Sequence, residues 1–78
     1  MRGFGKPTKR SITIAGHETS ISLEPMFWRA IEAAAVAEGL PLSALVARID
    51  VERLETPGGA PNLTSAIRQW LWQRESSQ

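Results

Sequence analysis

The chain has 78 residues, 42% hydrophobic and 22% charged, with nine basic and eight acidic side chains and no cysteine. That describes one small domain and excludes a multidomain enzyme with a large cleft, disulfides, thiolate catalysis and cysteine-held zinc or iron–sulfur centres. A core of this size supplies no more than about 3–5 kcal/mol, which makes oligomerisation the expected support.

The formal net charge of +1 hides an uneven distribution. Arg2, Lys6, Lys9 and Arg10 place four positive charges in the first ten residues, and residues 11–78 carry a net −3. With Gly3, Gly5 and Pro7 between the charges, residues 1–10 read as a flexible basic arm. Such an arm suits either contact with a polyphosphate or a solubilising role. No run approaches the ~18 apolar residues of a membrane span, and the basic N-terminus lacks the apolar stretch of a signal peptide, so a cytoplasmic location is expected.

Two alternating runs follow, Ser11–Ile14 and Thr19–Leu23, separated by Ala15-Gly16-His17-Glu18. Ile12 and Ile14 occupy even positions while Ile21 and Leu23 occupy odd ones, so a single uninterrupted strand would send the two pairs to opposite faces. Gly16 must therefore lie in a turn or bulge. The second run makes the better strand, with Ile21 and Leu23 inward and Ser20 and Ser22 outward.

Pro25 opens a helical segment, since its missing N–H is unpaired in a first turn anyway. Phe27, Ile31, Ala34 and Ala35 form its buried stripe, Glu24 suits the positive helix end, and Gly39 reads as the stop. After Leu40-Pro41, the residues Leu42, Leu45, Val46 and Ile49 share one face of a second helix running to about Leu54. Thr56-Pro57-Gly58-Gly59-Ala60-Pro61 reads as a linker. Asn62 is a good N-cap for a third helix in which Leu63, Ala66, Ile67, Trp70 and Leu71 match an amphipathic spacing. Trp72 lies off that stripe and implies packing on another chain or on the first helices.

A single short strand leaves its backbone unpaired unless the Ile12–Ile14 run supplies the partner, and a lone two-stranded ribbon is marginal in water. Two chains pairing Thr19–Leu23 antiparallel, with four helices beneath, would satisfy the strand and enlarge the core together. A homodimer is the expectation, with Thr19, Ile21, Leu23, Phe27, Trp28, Ile31, Leu45, Val46 and Ile49 at its interface.

The run Thr19–Pro25, the helix opening Phe27-Trp28 and the segment Glu38–Val46 resemble the ribbon-helix-helix fold of the Arc-repressor type. With Ile14–Ser20 and Asn62–Arg68 added, residues 10–71 are similar to a bacterial subfamily of small ribbon-helix-helix proteins. The resemblance implies a mostly α fold with one short β-ribbon, an intertwined homodimer and an additional C-terminal helix. Its domain would span residues 11–75, after the arm at 1–10 and before a tail at 76–78. It also implies that the ribbon enters the DNA major groove. Outward strand positions that read bases map onto Ser20 and Ser22, with Glu18 at the edge, and the start of the second helix, Leu42 and Ser43, maps onto the phosphate anchor. Lys9 and Arg10 of the arm complete the expected DNA contacts. Serines are short, sequence-tolerant readers, and Glu18 and Glu24 would sit near phosphates.

Other chemistry finds little purchase. His17 is the lone histidine and lacks co-ligands for a metal, and neither Ser43 nor Thr64 has a base beside it in sequence, so no catalytic residue, metal or cofactor is expected. Two readings stand: a DNA-binding transcriptional regulator, or a dimeric assembly module that engages another protein through Trp70 and Trp72.

Overall fold

A computed structural model describes residues 5–76. Strands β1 (Thr8–Ile14) and β2 (His17–Leu23) form an antiparallel hairpin, followed by helices α1 (Pro25–Glu38), α2 (Leu42–Glu55) and α3 (Leu63–Ser76). The loop between the strands is Ala15-Gly16, and both residues have positive φ, 50° and 84°. Two such residues in succession give the turn whose twist matches that of the flanking strands. In this register Ile14 faces His17, Ile12 faces Thr19, Arg10 faces Ile21 and Thr8 faces Leu23. Every even residue of β1 therefore opposes an odd residue of β2. The two alternating runs are out of phase along the chain because the hairpin brings Ile12, Ile14, Ile21 and Leu23 onto one face.

Of the two partners the sequence allows for the strand Thr19–Leu23, the structure shows the one within the chain: β1 pairs along one edge of β2. The arm ends earlier than the expected residue 10, since Thr8, Lys9 and Arg10 already belong to β1. Arg2, the first charge of that arm, lies outside the described residues.

The helices start and stop for local reasons. Glu24 is the N-cap of α1, and its carbonyl accepts the Phe27 and Trp28 N–H groups. Its side chain does not cap; it meets Arg68 of α3 at 2.8 Å instead. Gly39 ends α1 with φ 70° and ψ 29°, while the Leu40 N–H returns to the Ala35 carbonyl and the Gly39 N–H to that of Val36. That left-handed step is cheap only for glycine. Asn62 caps α3 as expected, its Oδ1 accepting the Ser65 N–H at 2.8 Å. Helix α3 includes Ser76, one residue beyond the expected end of the domain.

One face of the hairpin covers the helices. Ile12, Ile21, Leu23, Trp28, Ile31, Leu45, Val46, Ile49, Ile67 and Leu71 are buried together with three alanines, and among the described residues no polar or charged side chain is buried. Ile21, Leu23, Trp28, Ile31, Leu45, Val46 and Ile49, all expected at a dimer interface, are thus buried within one chain. Thr19 and Phe27 are half-buried. Helix α3 packs on α1, α2 and β2, and β1 packs on α2.

Candidate nucleic-acid interface

The parity that turns the isoleucines inward turns the other set outward. Lys9, Ser11 and Thr13 of β1 oppose Ser22, Ser20 and Glu18 of β2, and all six are exposed. Three cross-strand rungs thus form a narrow polar face whose only long side chains are Lys9 and Glu18. Ser20 and Ser22 stand where their alternation predicts. Ser11 and Thr13 join them without having been assigned to the face, although the opposite parity of the two runs around Gly16 is the signal that finds them.

Arg10 is not part of this face. It lies on the inward side of β1, its Nη1 2.9 Å from Glu32 Oε2 and its guanidinium 4.4 Å from the Trp28 ring centre. The Trp28 indole N–H donates to the Thr8 carbonyl at 2.8 Å. Both contacts join β1 to α1. Arg10, expected among the DNA contacts, is here engaged by Glu32 and Trp28 on the inward side of β1.

Most other arginines are committed too. Glu38 receives Arg48 at 3.2 Å and Arg74 at 2.8 Å, Asp50 receives Arg53 at 2.8 Å, and Glu24 receives Arg68. The Arg68 hydrogen bond holds the Glu24 carboxyl below its ordinary value, and those of Arg74 and Arg48 do the same for Glu38. Arg68 also lies over Phe27 and Arg74 over Trp70. Among the described residues, the lysines and arginines outside these ion pairs are Lys6, Lys9 and Arg29. Lys6 and Lys9 flank the open end of the ribbon, whereas Glu18 lies beside its turn. The face is therefore electrically polar along its length.

The start of α2 is a separate feature. Its N-cap, Pro41, offers no side-chain cap, and the Ala44 and Leu45 N–H groups bond to the Pro41 carbonyl. Leu42 and Ser43 hold the remaining first-turn amides, the donors that a helix end directs at anions. The Leu42 side chain packs against the core, so only its main chain is suited to such a contact.

Trp70 and Trp72 part company. Trp70 is half-buried and lines a groove between α2 and α3 with Ile49 and Arg53, whereas Trp72 is 72% exposed. Of the two expectations for Trp72, packing on another chain or on the first helices, the second is corrected by that exposure. His17 is exposed in the rung that closes the turn. Among the described residues, no group of three His, Asp or Glu side chains is placed to hold a metal ion. No single described helix is long and apolar enough to cross a membrane.

Comparison with known proteins agrees with this architecture. A family model for the ribbon-helix-helix domain matches residues 7–74. The solved structure of an uncharacterized protein from Bordetella pertussis Tohama I is similar, with a TM-score of 0.75 and 30% identity over 90% of this chain. The present chain spans 56% of the length of that protein. No curated protein matches the chain. By the ribbon, the two helices after it and the match over residues 7–74, the chain belongs to the ribbon-helix-helix domain family.

Proposed function

We propose that this protein binds double-stranded DNA as a transcriptional regulator, laying the outer face of its ribbon in the major groove. The observation that carries the reading is the six-residue polar face on a fully formed two-stranded ribbon, backed by a core that needs none of those side chains. The major groove, about 12 Å wide, admits such a ribbon. Ser20 and Ser22 address base edges, and Lys6, Lys9 and the Leu42 and Ser43 amides address phosphates. Arg10 takes no part. The DNA-binding form is a homodimer, as family membership favours, with β1 paired to one edge of β2 within each chain.

A titration with labelled duplex DNA over a range of salt tests the reading, since phosphate contacts make log affinity fall linearly with log salt. The alternative is an assembly module, favoured by one observation, the 72% exposure of Trp72. A large aromatic left open on a small domain is a common anchor at protein interfaces. Absence of salt-dependent binding to any duplex would favour that alternative.

A further inference from the structure

We infer that β1 is a phosphate-gripping strand: in the homodimer it lies outside the major groove, where Lys9, Ser11 and Thr13 face the sugar–phosphate walls, while β2 alone faces base edges. The inference rests on the DNA-binding homodimer proposed above. It adds a task for the one strand whose outward residues, Lys9 apart, had none.

The position of β1 follows from which edge of β2 it occupies. Antiparallel partners alternate between pairs that exchange main-chain hydrogen bonds and pairs that do not. A two-residue turn is closed by a hydrogen-bonded pair, here Ile14 and His17, so Thr19, Ile21 and Leu23 also direct their main-chain groups at β1. Glu18, Ser20 and Ser22 send theirs to the opposite edge, where no described strand pairs with them. Such a row of N–H and C=O groups is a template for another strand. Antiparallel pairing with a second copy about Ser20 sets Glu18 opposite Ser22 of the partner subunit, so no like charges meet and these edge groups are bonded. The strand order is then β1, β2, β2, β1.

Width decides what each strand meets. Strands lie about 4.8 Å apart, so the outer axes of four strands are about 14.4 Å apart, against a major groove about 12 Å wide. The two β2 strands lie about 2.4 Å from the two-fold axis and fit within it. The β1 strands lie about 7.2 Å out, beyond the roughly 6 Å half-width and over the groove walls.

The chemistry is divided in the same way. Strand β1 contains no acidic residue, and its outward side chains are an ammonium and two hydroxyls, all donors suited to phosphate oxygens. The carboxylate of this face, Glu18, is on β2, inside the groove, where it accepts from the cytosine N4 amino group instead of opposing a phosphate. From behind, the Trp28 indole holds the Thr8 carbonyl and Glu32 holds Arg10, fixing β1 on α1 as the backing a clamp needs.

Two experiments on the full chain test the strand order and the task of β1 separately. The chain has no cysteine of its own, so Ser20→Cys and Ser11→Cys each introduce a single thiol. A thiol crosslinker of about 8 Å, the reach of direct and diagonal cross-strand neighbours, should join two chains through Ser20→Cys and fail with Ser11→Cys. Two-chain product from Ser11→Cys and none from Ser20→Cys overturns the strand order. In the second experiment, random duplexes are selected and then titrated over a range of salt. Lys9→Gln should lower the log–log salt slope by about 0.9 per chain, and Ser11→Ala with Thr13→Ala should weaken every duplex alike by about tenfold, with the selected sequence unchanged in both cases. Ser20→Ala with Ser22→Ala should change the selected sequence. A changed sequence for the β1 variants places β1 in the groove and overturns the inference while leaving DNA binding intact. Two-chain product from Ser20→Cys without binding to any duplex removes the DNA-binding reading, and the phosphate contacts with it, and leaves the four-stranded sheet standing.

Discussion

Adjacent residues Lys9 and Arg10 carry the same charge, and the structure gives them opposite tasks, which makes the pair a sharp test. Lys9→Gln removes an exposed cation from the outer face; Arg10→Gln removes the 2.9 Å pair with Glu32 and the stacking on Trp28. The two Arg10 partners differ in worth. A pair whose side chains are 39% and 48% exposed contributes at the lower end of about 0.2–1 kcal/mol, and the cation over Trp28 adds about 0.5–1 kcal/mol. Their sum, about 1 kcal/mol, lowers the melting temperature of a domain this small by about 4–8 °C. Lys9→Gln should change stability by less than about 0.5 kcal/mol. On DNA the ranking reverses. One lost phosphate contact reduces the log–log salt slope by about 0.9, so the variant loses about 3.5-fold less affinity than wild type over a fourfold rise in salt. Arg10→Gln should keep the wild-type slope. Thermal melts followed by circular dichroism and fluorescence anisotropy with a labelled duplex measure both quantities. A flattened slope for Arg10→Gln with unchanged melting would refute the assignment of the two faces.

Four further outcomes follow from the same geometry. Ile21→Asp or Leu23→Asp places an unpaired charge at positions 2% and 0% exposed and should abolish folding; a native circular dichroism spectrum would show the strand faces to be reversed. Trp28→Phe leaves the Thr8 carbonyl without its 2.8 Å donor and should cost about 1–3 kcal/mol in chemical denaturation, whereas Trp72→Phe should cost almost nothing. Gly39→Ala forces a side chain into φ 70° and should lower stability by about 1–2 kcal/mol, measured by the same titration. The Glu24 and Glu38 carboxyls are depressed below 4.5 in the folded chain by their arginines, so their contribution is present above that pH and is lost as pH falls through the depressed values. Melting temperature should therefore decline below about pH 4.5, and Glu38→Gln should shrink that decline.

Much of this architecture is written in local chemistry. Pro25 and Gly39 bound α1, Asn62 opens α3, and the spacing of Leu45, Val46 and Ile49 identifies the buried side of α2; each follows from neighbours within a turn or two. The opposite parity of Ile12–Ile14 and Ile21–Leu23 likewise demands a change of direction near Gly16. Choosing between a bulge, an intrachain hairpin and a strand shared with another chain is a different matter, because all three satisfy the parity. What decides it is the positive φ of Ala15, an uncommon state for a residue with a Cβ, and the contacts of Trp28 and Arg10 across 20 and 22 residues of chain.

The candidate site is legible to the same degree. Ser20 and Ser22 follow from their alternation with Ile21 and Leu23. Their partners Ser11 and Thr13 need the register, which no local pattern states. Arg10 shows the limit most clearly: in sequence it is one of four clustered cations, and only its even position in β1 separates it from Lys9. The third helix illustrates the same point from the other side, since its stripe of Leu63, Ala66, Ile67 and Leu71 announces that it packs but not on what. It packs on α1, α2 and β2.

The most direct test of the central claim, that the outer face of the ribbon binds duplex DNA, is the salt dependence of association between the full chain and a labelled duplex. With Lys6 and Lys9 on phosphates, log affinity should fall linearly with log salt at a slope of at least about 1.8 in magnitude, and Ser20→Ala with Ser22→Ala should alter preference among duplexes while leaving that slope unchanged. No salt-dependent association with any duplex would contradict the account.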